Sequence, residues 1–176
     1  DLDEDSASSM CYTSGTTGNP KGVAYSHRSN YLHAVTAALA LGARQDDRLL
    51  VVVPLFHANA WGFPYLAMAA GASLVMPDRF LQAAPLAAMM EQEKVTFGAG
   101  VPTIWNDLLR HLDTSPADLS ACRGLVVGGS AAPPALMKAF QAKHDVTIIH
   151  AWGMTEMSPI GTVATPPAHL EVGTDD

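Results

Sequence analysis

Short apolar runs alternate along the chain with segments of helical periodicity. Apolar residues occupy every position from 49 to 53, which is typical of a central strand buried on both faces. Tyr31, Leu32, Val35 and Leu39 instead recur at helical spacing. This alternation predicts an α/β fold with a mostly parallel sheet flanked by helices.

Caps, prolines and glycines set the predicted boundaries of these elements. Ser26 is placed to cap a helix that runs through Leu41 and stops at Gly42, and Pro102 to open another. The predicted strands are residues 9–13, 23–25, 49–53, 73–76, 95–98, 124–127 and 146–150. The other predicted helices are residues 65–70, 81–93, 103–112 and 134–143. We interpret residues 6–162 as a partial α/β domain between an acidic flank at 1–5 and a tail at 163–176.

The charge distribution argues against nucleic acid as a partner. The net charge is −7, but seven of the 17 acidic residues lie in the first five or last six positions. The ten acids that remain balance the ten Lys and Arg residues, so the body of the chain is formally neutral. A broad basic face, which phosphate backbones require, is therefore not expected, and the acidic ends are interpreted as solvated flanks.

Cysteine usage and hydropathy favour a cytoplasmic protein. Cys11 and Cys122 lie far apart without C-x-x-C spacing, which argues against a disulfide scaffold or a zinc site. Residues 49–77 carry no charged side chain and are long enough to span a membrane, but Pro54 and Pro64 interrupt them. We expect buried strands and a helix there, with no transmembrane segment and no signal peptide.

The stretch Tyr-Thr-Ser-Gly-Thr-Thr-Gly-Asn-Pro-Lys-Gly at residues 12–22 gives the strongest functional signal. Its glycines let the backbone approach a ligand, its hydroxyl and N–H groups can donate to anionic oxygens, and Lys21 adds a positive charge. The loop therefore suits a polyphosphate. It is not a Walker A loop, because Pro20 and Gly22 stand where that pattern requires Gly and Ser or Thr. A flexible linker is the structural alternative, which the flanking Tyr12 and Pro-Lys-Gly disfavour.

With three further motifs, this loop resembles the adenylate-forming superfamily of acyl-CoA synthetases, firefly luciferase and peptide-synthetase adenylation domains. His-Ala-Trp-Gly-Met-Thr-Glu at 150–156 is similar to its adenine and magnesium motif. Pro-Leu-Phe-His-Ala-Asn-Ala-Trp-Gly at 54–62 is similar to its acyl-site motif, and Gly-Gly-Ser-Ala-Ala-Pro at 128–133 to its adenine-side strand end. The resemblance covers almost all of the chain, is greatest to medium- and long-chain fatty-acyl-CoA ligases, and implies part of a large N-terminal domain.

The resemblance implies roles for individual residues. The implied nucleotide-binding residues are Thr13, Ser14, Gly15, Thr16, Thr17, Gly18, Lys21, Gly129, Ser130, His150, Ala151, Trp152, Gly153 and Thr155. The implied catalytic residues are Lys21, Thr155, Glu156 and His57, and the implied metal ligands are Thr13 and Glu156. The implied substrate-binding residues are His57, Ala58 and Trp61, the last of which lines and gates the acyl tunnel in long-chain relatives.

The chemistry of acyl-adenylate formation suits these residue types. A carboxylate attacks the α-phosphate while pyrophosphate leaves, so charge neutralisation and positioning dominate the barrier. Lys21 supplies positive charge, and Glu156 is a hard oxygen ligand for Mg²⁺. The structural alternatives are a core tryptophan at 152, a satisfied core histidine at 57 and a solvated surface carboxylate at 156. No H-E-x-x-H or G-x-S-x-G occurs, which excludes a metalloprotease motif and a hydrolase nucleophile elbow.

The resemblance therefore implies a segment of an ATP-dependent fatty-acid–CoA ligase, which forms acyl-AMP with release of pyrophosphate and then acyl-CoA. Its implied cofactors and partners are ATP, Mg²⁺, a fatty acid, CoA as co-substrate and a possible homodimer. Two alternatives stay open: a non-catalytic nucleotide- and acyl-binding fragment, and another adenylating enzyme that activates aryl or amino acids. The family's ribose-binding Asp and its C-terminal domain with the adenylation lysine are not matched here, so the isolated segment is expected to be inactive.

Overall fold

The chain folds as an open α/β sheet with helices on both faces, and the computed structural model describes residues 1–14 and 18–164. The strands are β1 (Ala7–Thr13), β2 (Lys21–Ser26), β3 (Arg48–Val51), β4 (Ser73–Val75), β5 (Phe97–Gly100), β6 (Gly124–Val127), β7 (Thr147–Gly153) and β8 (Ile160–Val163). The helices are α1 (His27–Leu41), α2 (Phe63–Ala70), α3 (Ala83–Gln92), α4 (Pro102–Leu112) and α5 (Pro134–His144). Two short turns, Ala58–Trp61 and the 3₁₀ turn Thr155–Met157, complete the described structure.

The six-stranded sheet has the order β4-β3-β5-β6-β7-β8. All its pairings are parallel except that of β7 with β8, so the predicted α/β class with a mostly parallel sheet is confirmed. β1 and β2 form a separate antiparallel hairpin. The order of the strands reverses between β3 and β5, and the carboxyl ends of parallel strands at such a switch point form a crevice that binds ligands in α/β proteins.

Strand β3 is buried on both faces, as its uninterrupted apolar sequence predicts. Leu49 and Val51 pack on the side of the sheet covered by α1 and α2, against residues such as Leu66. Leu50 packs on the opposite side, in a cluster with Trp105 and other residues of α3, α4 and α5. The alternation follows from the two-residue period of a strand, which sends successive side chains to opposite faces.

Helix α1 begins and ends at the residues that the sequence predicts. The Ser26 hydroxyl oxygen accepts a hydrogen bond of 3.1 Å from the backbone N–H of Ser29, which satisfies one free donor at the helix start. Gly42 ends the helix in the left-handed conformation, with φ of 59°.

The predicted bounds of β5 were wrong, because the strand lies at Phe97–Gly100 rather than at residues 95–98. In the observed strand, the indole of Trp105 covers Gly98 and Gly100, which have no side chains. A Cβ added to Gly98 or to Gly100 would lie 2.9 Å from that indole. The glycines therefore make room for a large aromatic ring, an arrangement that strand propensity alone disfavours.

The sheet also contains a strand that the sequence pattern did not predict. β8 pairs antiparallel with the end of β7, and β7 itself continues to Gly153, three residues beyond its predicted end at 150. As a result, residues 150–153 lie on a strand. The uncharged segment 49–77 contains β3, the turn Ala58–Trp61, α2 and β4, and no helix in the described ranges has the length and apolarity to cross a membrane.

Candidate functional site

A cleft of about 490 Å³ lies at the carboxyl ends of the parallel strands. Its walls come from the loop end of the β1–β2 hairpin, the loop after β3, the end of β6, and β7 with the 3₁₀ turn. The predicted site residues that line it are Thr13, Ser14, Lys21, His57, Ala58, Trp61, Gly129, Ala151, Trp152, Gly153, Thr155 and Glu156. All four sequence motifs therefore contribute to one cleft.

The described lining of the cleft does not include every predicted nucleotide-binding residue. Gly15, Thr16 and Thr17 lie outside the described residues. Gly18, Ser130 and His150 are described but do not line the cleft. The His150 carbonyl accepts a hydrogen bond of 2.8 Å from the Ala164 N–H, which extends the contact between β7 and the end of β8. A direct contact of these three residues with a nucleotide stays a prediction.

The hairpin places a hydroxyl and a positive charge side by side at the cleft. Thr13 is the last residue of β1 and pairs with Lys21, the first residue of β2. Residues directly opposite in an antiparallel pair have neighbouring side chains. Lys21 is exposed, and within residues 1–14 and 18–164 it has no ion-pair partner. Its charge is therefore available to an anionic ligand.

In a second wall of the cleft, the 3₁₀ turn Thr155–Met157 presents Glu156. The turn is held close to β7 because Gly153 has no side chain: a Cβ there would lie 2.2 Å from the Pro159 carbonyl oxygen. Glu156 is exposed, and it too lacks an ion-pair partner in the described part of the chain. One cleft therefore carries an available carboxylate and an available ammonium group.

Tyr25 connects these two walls, and sequence reasoning missed it. The phenol is buried and donates a hydrogen bond of 2.7 Å to the carbonyl oxygen of Thr155. Burial, with smaller contributions from Cys11, Glu156 and Tyr65, raises the pKa of Tyr25 to about 12. A buried tyrosine usually has a hydrogen-bond partner, but nothing in the local sequence identified one 130 residues away.

The oxygen donors of the cleft fit Mg²⁺ only together with other ligands. No group of three or more His, Cys, Asp or Glu side chains able to hold a metal occurs among the residues that the structure describes. Thr13 and Glu156 nevertheless line the same cleft and both offer hard oxygen atoms. Mg²⁺ is commonly bound by one or two carboxylates with substrate phosphates and water. The donor set therefore fits a magnesium ion that enters with a polyphosphate.

Trp152 lies on the cleft wall with much of its indole open to solvent. Its exposed fraction is 55%, which excludes the alternative that this ring simply fills the core. The indole rests against the backbone of β8, because a Cβ on Gly161 would come within 2.6 Å of it. A supported aromatic face of this kind can stack against a planar ring such as adenine.

His57 is exposed on the loop after β3, which excludes the alternative of a satisfied core histidine. Its backbone N–H donates a hydrogen bond of 3.0 Å to the Pro54 carbonyl oxygen, so the loop turns tightly there. The side chain lines the cleft together with Trp61. It can therefore reach a ligand that enters between the loop and the strand ends.

The turn Ala58–Trp61 is left-handed, which the sequence did not predict. All four residues have positive φ, between 47° and 54°, although none is glycine. This conformation costs roughly 1–2 kcal/mol per residue for an L-amino acid. Gly62 follows with φ of 73°. Local strain of this kind is often found where a protein holds a functional side chain in place.

The left-handed turn places Trp61 against the end of β6. A Cβ added to Gly128 would lie 3.0 Å from the Trp61 indole, so the ring packs directly on that backbone. Phe63, Ala37 and Leu41 continue the apolar wall from Trp61. One part of the cleft is therefore apolar and lined by an indole, whereas Lys21, Thr13 and Glu156 form a polar part.

The sequence profile of the family described as AMP-binding enzyme matches residues 1–174. The chain belongs to the AMP-binding enzyme family. The match confirms the resemblance to adenylate-forming enzymes that the four motifs predict. It covers nearly the whole chain, including both strands of the hairpin and the segment that carries Glu156.

Curated members of the AMP-binding family include relatives with substantial identity to this chain. The medium-chain-fatty-acid–CoA ligase of Ectopseudomonas oleovorans is 49% identical over 171 residues, which are 96% of this chain and 31% of that protein. The 3-methylmercaptopropionyl-CoA ligase of Ruegeria pomeroyi is 45% identical over 170 residues, 96% of this chain and 32% of that protein. The chain thus spans about a third of the length of these relatives.

Solved structures of AMP-binding enzymes have the same fold. The inhibitor-bound N-terminal domain of FACL13 from Mycobacterium tuberculosis is 32% identical with a TM-score of 0.81, over 88% of this chain and 38% of that one. The o-succinylbenzoate coenzyme A synthetase of Bacillus subtilis, solved with ATP and a magnesium ion, is 30% identical with a TM-score of 0.83, over 94% of this chain and 34% of that one. The prediction that the fold is part of a large N-terminal domain is confirmed.

Proposed function

We propose that this chain is the nucleotide- and acid-binding segment of an ATP-dependent acid–CoA ligase. The observation that carries the proposal is the convergence of Lys21, Glu156 and His57 on one cleft. Relatives named as CoA ligases cover almost all of the chain and support it. Because the chain spans about a third of those relatives, the activity is proposed for the whole protein of which it is a segment.

The proposed reaction joins two anions at the polar part of the cleft. The carboxylate of the acid attacks the α-phosphate of ATP, acyl-AMP forms, and the bond to pyrophosphate breaks. Lys21 and the backbone of its loop neutralise phosphate charge, and His57 orients the carboxylate. Glu156, with Thr13, would hold a Mg²⁺ ion, which would supply further neutralisation of phosphate charge. Trp152 supports the adenine, while Ala151, Gly153 and Gly129 frame its pocket.

A medium- or long-chain fatty acid is the proposed substrate. Trp61, Phe63 and Leu41 give the acid end of the cleft an apolar wall, and each buried methylene of an acyl chain contributes about 0.8 kcal/mol. CoA would then accept the acyl group in the complete enzyme. An aromatic acid is the second candidate, because the similar Bacillus subtilis structure is an o-succinylbenzoate CoA synthetase.

ATP–pyrophosphate exchange tests the proposal on the full-length enzyme. Acids of increasing chain length are compared with an aromatic acid, and the wild type with Glu156→Gln and Lys21→Ala. Both substitutions should lower exchange by roughly 10²-fold, since each removes charge stabilisation at the reacting phosphates. Lys138→Ala, on the exposed surface of α5, is the matched control and should leave exchange unchanged.

Two results would contradict this proposal. Exchange that no tested acid supports would exclude an acid-activating enzyme, and undiminished exchange in Glu156→Gln would remove the proposed role of that carboxylate. Exchange supported best by the aromatic acid would instead favour the second candidate.

We also infer a reducing, cytoplasmic setting, which the free and buried thiols of Cys11 and Cys122 support.

A further inference from the structure

Helix α1 carries two buried polar side chains that the proposed reaction does not use. Asn30 and His33 lie one turn apart on the helix and are 7% and 6% exposed. Neither lines the cleft. Buried polar groups are costly unless they are hydrogen-bonded, so the partners of these two side chains indicate what they do.

His33 contacts the end of the left-handed turn. Its Nε2 lies 3.1 Å from the carbonyl oxygen of Trp61. A carbonyl oxygen can only accept, so Nε2 carries the proton and donates. Nδ1 is buried and has no partner among the described residues, which fits an unprotonated nitrogen. Burial, opposed in part by the Trp61 hydrogen bond, holds the pKa of His33 below its ordinary value, so the ring is neutral near pH 7.

The imidazole also fills the space beside the turn. A Cβ added to Gly62 would lie 1.9 Å from Nε2 of His33, so the ring is pressed against the peptide that follows Trp61. The contact is therefore both a hydrogen bond and a close steric fit. Removal of the ring would leave the Trp61 carbonyl without this donor and open a void beside the turn.

A second chain of hydrogen bonds connects the same helix to the same turn. The Asn30 side-chain nitrogen donates to the hydroxyl oxygens of Ser8 at 2.6 Å and Ser9 at 3.2 Å. The Ser9 hydroxyl donates to the Asn59 side-chain oxygen at 3.0 Å. Helix α1 thus holds the turn at its second residue, through Ser9, and at its last residue, through His33.

We propose that His33 is a positioning residue for acyl-chain selectivity. Its hydrogen bond to the Trp61 carbonyl oxygen fixes the left-handed turn. The turn then holds the Trp61 indole against Gly128 in the apolar wall of the cleft. The inference rests on the proposed function, because selectivity for the acyl chain presupposes that the acid lies along that wall. His33 itself does not touch the substrate.

The chain-length profile of the full-length enzyme tests this proposal. His33→Phe keeps an aromatic ring but loses the donor, whereas His33→Gln retains an N–H that can reach the same carbonyl. His33→Phe should change the ratio of kcat/KM between long and short acids about five- to tenfold, as expected for loss of one hydrogen bond, with the KM for ATP unchanged. His33→Gln should restore most of the wild-type ratio.

Trp61→Ala serves as the comparison variant. It should change the same ratio, and the double variant with His33→Phe should change it no further, because both substitutions act through the indole. Ser9→Ala tests the second connection without altering the ring and should give a smaller change in the same direction. A crystal structure of His33→Phe adds a readout without turnover: the turn should relax and the Trp61 indole should leave Gly128.

The outcomes separate this proposal from the proposed function. If the wild type activates no acid, the proposed function fails, and the position of the Trp61 indole in the variant structure still decides whether His33 holds the turn. If the wild type is active, an unchanged chain-length ratio in His33→Phe overturns the proposal. Equal loss for all acids without rescue by His33→Gln also overturns it, since it indicates a general effect on folding. If His33→Phe does not fold, His33→Leu, which also lacks the donor, takes its place, and an unchanged ratio with an unmoved Trp61 indole in that variant overturns the proposal.

Discussion

Single side chains join parts of the cleft that lie far apart in the sequence. Tyr25 follows Lys21 on β2, yet its hydroxyl donates to the Thr155 carbonyl, next to Glu156. The strand that presents the ammonium group is therefore tied to the turn that presents the carboxylate. This contact makes the relative position of the two charges depend on one buried phenol.

Tyr25→Phe should raise the Mg²⁺ concentration that ATP–pyrophosphate exchange requires more than it changes the dependence of exchange on the acid. The substitution keeps the ring in the core but leaves the Thr155 carbonyl without this donor, so the turn that carries Glu156 becomes less well fixed. We expect the Mg²⁺ concentration for half-maximal ATP–pyrophosphate exchange to rise about fivefold, the effect of one lost hydrogen bond. The chain-length profile should stay as in the wild type.

Tyr31→Phe is the control for this substitution, because Tyr31 is exposed on α1 and does not line the cleft. Magnesium titrations of both variants in the full-length enzyme provide the measurement. The same half-maximal concentration in Tyr25→Phe and wild type would show that the Thr155 contact does not position Glu156.

The sequence predicted residues that line the cleft better than residues that support the cleft from behind. Lys21, His57 and Glu156 stand in motifs whose resemblance to the family implies phosphate, acid or metal binding. Tyr25 and His33 have partners that only the folded chain brings near. The left-handed turn Ala58–Trp61 was equally hidden, because it contains no glycine and the usual sequence signal for positive φ is missing.

At the scale of strands, a buried ion pair joins the amino ends of β3 and β6. Asp47 is 2% exposed and accepts hydrogen bonds from one guanidinium nitrogen of Arg123 at 2.6 and 2.8 Å and from the Arg44 N–H at 2.7 Å. The guanidinium also lies 4.5 Å from the centre of the Phe97 ring at the start of β5. Three neighbouring strands are thus held together at the edge opposite the cleft.

Arg123→Gln should destabilise the fold more than Asp47→Asn. Removal of Arg123 leaves a buried carboxylate without its counter-charge. We therefore expect the free energy of unfolding to fall by about 3 kcal/mol in Arg123→Gln. Removal of the Asp47 charge leaves a guanidinium that is already 35% exposed and can be hydrated, so we expect a smaller loss. The midpoints of chemical denaturation of both variants and the wild type provide the measurement.

The effect of Arg123→Gln should also depend on pH. Burial alone would raise the pKa of Asp47, but the hydrogen bonds from Arg123, Thr96 and Arg44 outweigh it and lower the pKa. A carboxyl with a lowered pKa stabilises the folded state above its ordinary pKa of about 3.9, and this contribution is lost as the pH falls through the lowered value. The difference from the wild type should therefore be largest at neutral pH and narrow toward pH 4, as the unpaired carboxyl in the variant takes up a proton. A difference that is constant over this range would contradict the role of the ion pair.

The central strands were predictable because their uninterrupted apolar runs match their burial. In α1 the apolar residues at helical spacing do not form the buried face, since Tyr31, Leu32 and Leu39 are exposed, and the residues that cap the helix marked it instead. Five apolar residues in succession identified β3, and Ser26 and Gly42 marked both ends of α1. β8 was not predictable in the same way, since Ile160–Val163 is short and includes a glycine and a threonine. Its pairing depends on the position of β7, which local sequence does not specify.

The whole molecule brings four distant motifs together through the topology of its sheet. Parallel strands end at the same edge, so the segments after β3, β6 and β7 meet there, and the hairpin contributes Thr13, Ser14 and Lys21. The sequence predicted this convergence only through the resemblance of the four motifs to the adenylate-forming superfamily. Large apolar side chains such as Phe56, Met68 and Leu39 are exposed on this segment, but the predicted homodimer remains a prediction.

The most direct measurement of the account is a crystal structure of the full-length enzyme with magnesium and an ATP analogue that has a methylene group between the α- and β-phosphorus atoms. That analogue cannot be cleaved at the bond that acyl-adenylate formation breaks. The account predicts that Lys21 contacts the phosphates, that Glu156 binds the magnesium ion on the same nucleotide, and that Trp152 lies beside the adenine. A nucleotide bound elsewhere, or bound in this cleft with Lys21 and Glu156 both turned away from it, would contradict the account.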